Sequence, residues 1–358
     1  MPDTMHNRKI ETPRISPWLK YFYARFLKLR FDCNFRLFPR WILMGLALNA
    51  SSGCAPVNYT THPNVLPAQL INDWFITPDG ASLPVRQWQP KTGNADAILI
   101  AVHGFNDYSH FFEDAGTYLS AQGIACYAYD QRGFGASPRR GLWGGVSEYT
   151  QDLALFIDLI KQKHPHLPVY LLGESMGGAI VIATVTRTTA SVDGIILSAP
   201  AVWARSTMPW YQTALLSTLS RTMPWLTLTG EGLEIKPSDN VEMLRALGRD
   251  PLVIKKTRVD ALHGLADLMD IAFLSARHID AHTLVLYGQK DEVIPQEPTF
   301  KFLKALHTLH PQNKTVKIYQ NGYHMLLRDL QAPTVWQDIA SWIHLPGSLS
   351  STEKWSCC

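Results

Sequence analysis

The chain has 358 residues, 46% of them hydrophobic, and a formal net charge of +3. That length and apolar content supply a large core and exclude global disorder. Nine Lys and Arg stand against three acids in residues 1–40, which leaves 24 against 27 in the remainder. The body is therefore slightly acidic, and a nucleic-acid partner, which would want basic residues clustered on the folded domain, is not expected.

Residues 1–54 read as a basic N-terminal region leading into an export signal. Basic residues run to Arg36 and Arg40, then come the apolar Trp41-Ile42-Leu43-Met44-Gly45-Leu46-Ala47-Leu48 and the small Ala50-Ser51-Ser52-Gly53-Cys54. The apolar run is too short to span a bilayer. Its end resembles the lipobox of bacterial lipoproteins, with Cys54 as the lipidation candidate, although Ser51 stands where that pattern usually has Leu or Val. The resemblance implies a cell-envelope lipoprotein, and Ala55-Pro56, with no acidic retention cue, implies the outer membrane. The alternatives are an ordinary cleaved signal, an uncleaved anchor, or a cytoplasmic protein whose basic stretch Pro17 to Phe31 lies on a membrane surface. Cys33 and Cys54 sit in this region, Cys126 in an apolar strand and Cys357-Cys358 at the end of a polar tail, residues 346–358. That distribution offers neither a disulfide framework nor a zinc spacing.

After a linker over residues 55–70, short apolar runs alternate with amphipathic stretches. Asp73–Phe75 and Leu83–Trp88 flank Pro78-Asp79-Gly80, a hairpin signal. Ala97–Val102 and Ile124–Tyr129 are near-continuous apolar strands, as in a sheet covered on both faces. Tyr149, Leu153, Phe156 and Ile160 keep helical spacing, and Val169–Leu172, Gly194–Leu197, Thr283–Tyr287 and Thr315–Tyr319 continue the strands. Strands alternating with helices predict a mostly parallel, doubly wound α/β sheet whose chemistry gathers at the carboxyl ends of the strands.

Those ends are polar and rich in glycine. They carry His103-Gly104-Phe105-Asn106-Asp107, Asp130-Gln131-Arg132-Gly133-Phe134-Gly135, Gly173-Glu174-Ser175-Met176-Gly177, Gly288-Gln289-Lys290-Asp291 and Gly322-Tyr323-His324. The third is a G-x-S-x-G pattern between an apolar strand and a helix start, the context in which a serine is held exposed on a strained elbow. Ser175, Asp291 and His324 follow in the order Ser, acid, His, each just past a strand. A serine hydroxyl needs a neutral imidazole to take its proton, and that imidazole needs an acceptor on its other nitrogen. His324 is accordingly the candidate base and Asp291 the orienting acid, with Glu292 as its neighbouring rival and His103, His110 and His263 as rival histidines. An anionic tetrahedral intermediate needs donors, for which the backbone N–H groups of Phe105 and Met176 are the candidates. Gly133-Phe134-Gly135 lacks a third glycine at position 138 and reads as loop geometry.

Together these motifs resemble the monoacylglycerol lipase and lysophospholipase group of α/β-hydrolases, of the serine aminopeptidase S33-like type, over roughly residues 72–345. The resemblance implies an α/β-hydrolase fold with an eight-stranded sheet and a helical lid inserted after the sixth strand. It also implies hydrolysis of single-chain acyl esters without a cofactor or metal. Glu174 departs from many animal members, which carry His there. The core is expected over residues 71–200 and 281–345, with the lid over 201–280. In the lid, Thr207-Met208-Pro209-Trp210 and Thr222-Met223-Pro224-Trp225 bracket a helix over Tyr211–Arg221. Trp203, Trp210 and Trp225 are the substrate-binding candidates, lining an acyl tunnel or facing a membrane. Three other functions stay open: an acyltransferase with the same triad, a non-catalytic lipid-binding envelope protein, and a prolyl-aminopeptidase-like peptidase. The last would need an amine-binding cluster drawn from Asp239, Glu242, Asp267 and Asp270.

Overall fold

The computed structural model describes residues 63, 65–230, 232, 234–308 and 310–345. Cys33, Cys54, Cys357-Cys358 and the whole signal-like segment lie outside the described residues. The chain divides into two compact units, residues 53–229 with 236–358 and residues 1–52 with 230–235. In the second, Gly232 turns the backbone at a φ of 82°.

Eleven strands and eight α-helices are described. The strands are β1 (Gln69–Ile71), β2 (Trp74–Ile76), β3 (Ser82–Trp88), β4 (Ala97–Val102), β5 (Ile124–Tyr129), β6 (Val169–Glu174), β7 (Gly194–Ser198), β8 (Thr227–Thr229), β9 (Lys256–Arg258), β10 (Thr283–Gly288) and β11 (Lys314–Tyr319). The helices are α1 (Glu113–Ala121), α2 (Val146–Lys163), α3 (Met176–Arg187), α4 (Trp210–Thr222), α5 (Val241–Arg249), α6 (Val259–Ser275), α7 (Gln296–Leu306) and α8 (Ala332–His344).

One sheet runs in the order β1-β2-β3-β5-β4-β6-β7-β10-β11. From β5 to β11 every pairing is parallel, while β1, β2 and β3 pair antiparallel and β3 joins β5 antiparallel. The expected fold class holds, but the sheet has nine strands, not eight. The extra one arises inside the expected linker, where Gln69–Ile71 folds back on Trp74–Ile76 through Asn72 at a φ of 52°. Asparagine tolerates that left-handed turn, so two residues suffice for the reversal.

Alternate residues of the central strands feed two cores. Ile98, Ile100, Tyr127, Leu171, Ile195 and Val285 face one side, with Phe156 and Ile157 of α2, Ile180 of α3 and Leu268 of α6. Leu99, Ala101, Cys126, Leu172, Ile196 and Leu286 face the other, under Leu119 of α1 and Ile339 and Trp342 of α8. Burial on both faces explains the unbroken apolar runs.

Between β7 and β10 the chain leaves the sheet for α4, α5 and α6. This insertion is not purely helical, since β8 and β9 pair antiparallel within it. Its α6 packs on α3 and α4. Arg205 ties its beginning to α6 through Asp270 at 2.6 Å and Asp267 at 2.8 Å.

Candidate active site

Ser175 sits between the last residue of β6 and the first of α3, at φ 55° and ψ −115°. A non-glycine residue reaches that region only at a cost of about 1–3 kcal/mol, met by surrounding structure. The turn is held by Ser175 N–H donating to Ser198 O at 2.9 Å and Ala201 N–H donating to Ser175 O at 2.9 Å. The elbow also requires its glycines: a Cβ on Gly173 would stand 2.4 Å from Gly177 O, and one on Gly177 would stand 2.0 Å from Val102 O. Met176 begins α3, so its N–H belongs to the first turn, where backbone donors lack partners within the helix and the dipole favours negative charge.

Asp291 and His324 follow β10 and β11, which are paired in register with Gly288 opposite Tyr319. Ser175, Asp291 and His324 therefore occupy one edge of the sheet. The Asp291 carboxylate is oriented at both oxygens. Oδ1 accepts from the N–H groups of Val293 at 2.8 Å and Ile294 at 2.9 Å, and Oδ2 stands 2.8 Å from His324 Nδ1. The His324 loop is pinned by Lys290 N–H to Gly322 O at 2.9 Å and by Tyr323 N–H to Asp329 Oδ2 at 2.8 Å. Burial by itself lowers the pKa of His324, but the charge and hydrogen bond of Asp291 outweigh it and Glu174 adds to them. Arg328 opposes, and the imidazole titrates above its usual range. Glu292, the rival acid, points elsewhere and accepts from Lys236 N–H at 2.8 Å.

Phe105 lies in the loop after β4, which reaches the serine closely: a Cβ on Gly104 would stand 3.4 Å from Ser175 Cβ. His103 secures that loop. Its Nε2 accepts from Gln131 N–H at 3.0 Å and its Nδ1 stands 2.8 Å from Gly104 O, while Gln131 Nε2 donates to His103 O at 2.9 Å. Burial lowers its pKa, so the ring is neutral and its two nitrogens serve the backbone. Asn106, at φ 67°, ties the loop to the insertion: Nδ2 donates to Thr257 Oγ1 at 2.7 Å and its carbonyl accepts from Ile254 N–H at 2.9 Å. His110 pairs with Glu113 on the surface and His263 with Asp267 on α6.

The three tryptophans do not share a wall. Trp203 packs against the core, whereas Trp210 and Trp225, at the two ends of α4, are 79% and 54% exposed. Such exposure does not fit the lining of an enclosed tunnel. The insertion's acids are locally engaged: Asp267 and Asp270 with Arg205, Glu242 with Arg245 and Asp239 with Leu330 N–H.

Sequence reasoning missed Arg328, whose Nη2 stands 2.8 Å from both Glu174 and Asp107. Its position four residues past His324 was the one available signal. Two cavities among the described residues lie beside these groups without Ser175 in their walls. One, of about 510 Å³, lies along Arg86, Trp88 and Tyr108. The other, of about 220 Å³, lies between Asp107, Arg328 and Phe111 on one side and Asn240, Met243 and Leu247 on the other.

The family described as serine aminopeptidase, S33, matches residues 93–331. The monoacylglycerol lipase of Mycolicibacterium smegmatis is 28% identical over 75% of this chain and 95% of its own length. The human monoglyceride lipase is 27% identical over 75% of this chain and 89% of its own. Among solved structures, the monoacylglycerol lipase of Paleococcus ferrophilus superposes with a TM-score of 0.60 at 25% identity, covering 73% of this chain and 98% of that one. A nine-stranded sheet of this topology, a serine elbow at the end of β6 and a family match over residues 93–331 make the chain a member of the serine aminopeptidase S33 family of α/β-hydrolases.

Proposed function

We propose that the protein is a carboxylic ester hydrolase acting on single-chain acyl esters, monoacylglycerol or lysophospholipid, through Ser175, Asp291 and His324. The observation that carries the reading is the 2.8 Å contact of Asp291 with His324 on the same sheet edge as the strained Ser175. The monoglyceride lipase relatives support the substrate class.

Ser175 Oγ attacks the ester carbonyl while His324 Nε2 takes its proton, and Nδ1–H donates to Asp291, which stabilises the imidazolium. The N–H groups of Phe105 and Met176 receive the oxyanion, each such donor being worth roughly 10²–10³ in rate. The alcohol leaves with the proton from His324. Water, deprotonated by the same imidazole, then releases the fatty acid from the acyl-enzyme. The engaged state of Asp239, Glu242, Asp267 and Asp270 favours this reading over a peptidase that grips a free amine.

Ser175→Ala tests it. Hydrolysis of monoacylglycerol should fall by roughly 10⁶, on the scale of nucleophile removal in a serine protease, and fluorophosphonate labelling should vanish. A Ser175→Ala protein that still turns over refutes the triad. Supplying acceptor alcohols and resolving the products separates hydrolysis from acyl transfer.

For the site of action, the lipobox-like end of residues 1–54 supports an envelope lipoprotein anchored through Cys54 and attached to the outer membrane. Cys54→Ser should move the protein from the membrane to the soluble fraction. Equal partitioning of the two forms would remove the lipid anchor from the reading.

A further inference from the structure

A buried charge cluster that the mechanism above leaves unused lies in the segments that carry Phe105, Ser175 and His324. The Arg328 side chain is 8% exposed, and its Nη2 stands 2.8 Å from Glu174 Oε1 and 2.8 Å from Asp107 Oδ2. Its guanidinium lies 5.8 Å from the Phe111 ring centroid. Asp107 Oδ1 in turn accepts from Tyr108 N–H at 2.9 Å.

Each member belongs to a segment bearing one part of the site. Asp107 is two residues past Phe105, in the loop that approaches Ser175. Glu174 is the residue immediately before Ser175. Arg328 is four residues past His324, its backbone folded back on the same loop by an N–H bond to Met325 O at 2.9 Å. The three segments are distant in sequence, and β-sheet pairing alone does not set the distances between their loops.

We propose that Arg328 is a positioning residue: by bridging Glu174 and Asp107 it holds the donor loop, the nucleophile elbow and the histidine loop in one geometry. This rests on the assignment of Ser175 and His324 as nucleophile and base. A single cation between two buried carboxylates suits the role, since it neutralises charge that would otherwise destabilise a dry site. It has a second effect, on charge balance at the base. The charged groups facing His324 are Asp291 from the loop after β10, Glu174 from the end of β6, and Arg328 and Asp329 from its own loop. Lys236 and Lys290 flank the ring of the adjacent Tyr323 at 4.8 and 5.6 Å. Glu174 favours the imidazolium and Arg328 the neutral ring, so the bridge partly screens one from the other.

The test is steady-state kinetics across pH on the full chain, with Arg328→Met, Arg328→Lys and Glu174→Gln. Arg328→Met should lower kcat by about 10²-fold, the scale of an ångström-sized misplacement, with KM within about threefold. Its acid limb should move up by about half a pH unit or more, because an unscreened carboxylate holds the proton on His324. Glu174→Gln should move that limb down. Arg328→Lys, which keeps a charge able to reach both carboxylates, should leave the limb in place and recover most of kcat. If Arg328→Met does not fold, the neutral combination Asp107→Asn, Glu174→Gln, Arg328→Met replaces it, with kcat still depressed and the acid limb lowered. A folded protein lacking Arg328 that keeps the native kcat and acid limb, losing only melting temperature, overturns the proposal. Fluorophosphonate labelling of the native protein and Ser175→Ala, run alongside, separates that result from a failure of the triad itself.

Discussion

Asp291 and His324, 33 residues apart in the chain, meet through a 2.8 Å contact between Oδ2 and Nδ1, with the other carboxylate oxygen held by two backbone N–H groups. The acid is thus fixed by its own loop before it fixes the histidine. Glu292, one residue on, is turned away to Lys236 N–H.

Asp291→Asn should therefore lower kcat by about 10⁴, the scale expected when an imidazole is left in the wrong tautomer, while circular dichroism stays native. Glu292→Gln should keep kcat within about twofold, as for a surface substitution away from the site. A reversal of these two results would exchange their roles.

Raised above its usual range by Asp291, His324 should be more than half protonated, and the enzyme below half of its full activity, at the pH where a free imidazole is half neutral. kcat/KM should rise with pH through an apparent pKa above the ordinary 6.5. The direction follows because the base works only when neutral and a neighbouring carboxylate prolongs its charged form. An acid limb centred below 6.5 would contradict this electrostatic balance.

Ser175→Gly and Ser175→Ala should both be inactive yet differ in stability. Glycine adopts φ 55° without steric cost, so it relieves about 1–3 kcal/mol of backbone strain, offset by about 0.5–1 kcal/mol of unfolded-state entropy. Ala keeps the strain. The glycine variant should melt a few degrees higher in calorimetry. Equal melting temperatures would mean that the elbow stores no more than the about 0.5–1 kcal/mol that glycine costs through the unfolded state.

Arg132 joins the β2–β3 turn to α2, with Nη1 and Nη2 each 2.7 Å from Asp79 and Nε 2.6 Å from Asp152. All three are buried. Arg132→Met leaves two buried carboxylates without their cation and should cost about 3–5 kcal/mol in urea unfolding. The triple variant Asp79→Asn, Asp152→Asn, Arg132→Met should recover much of that loss, because no uncompensated charge remains. Burial works against it, yet Arg132 and Thr77 hold the Asp79 carboxyl down to about 2. Its contribution to stability is full above its ordinary value of 3.8 and is lost as pH falls from there through about 2. A pH-independent unfolding midpoint over that interval would count against the ion pair.

The central strands were legible because each is a continuous apolar run, and the Ser, Asp, His order was legible because each residue follows such a run. The parts that were not legible lack a local signature. Gln69–Ile71 has only three residues and depends on Asn72 to reverse the chain. Thr227–Thr229 and Lys256–Arg258 are polar strands that exist because they pair with each other. Asp107, Glu174 and Arg328 come together only when three strand ends share an edge. Glu174 could be seen as a departure from relatives, but its partner 154 residues away could not.

Asn106 gives two of the bonds that join the donor loop to the insertion, and Tyr108 Oη, donating to Asp250 Oδ2 at 2.7 Å, gives another. For protein engineering, this means that the insertion is not a cassette. A graft that exchanges residues between β7 and β10 for those of another hydrolase removes the partners of a backbone segment one peptide from Phe105. Unless the graft supplies a hydroxyl at the place of Thr257 and a backbone donor at that of Ile254, a change meant to alter substrate choice would also loosen the loop beside Ser175.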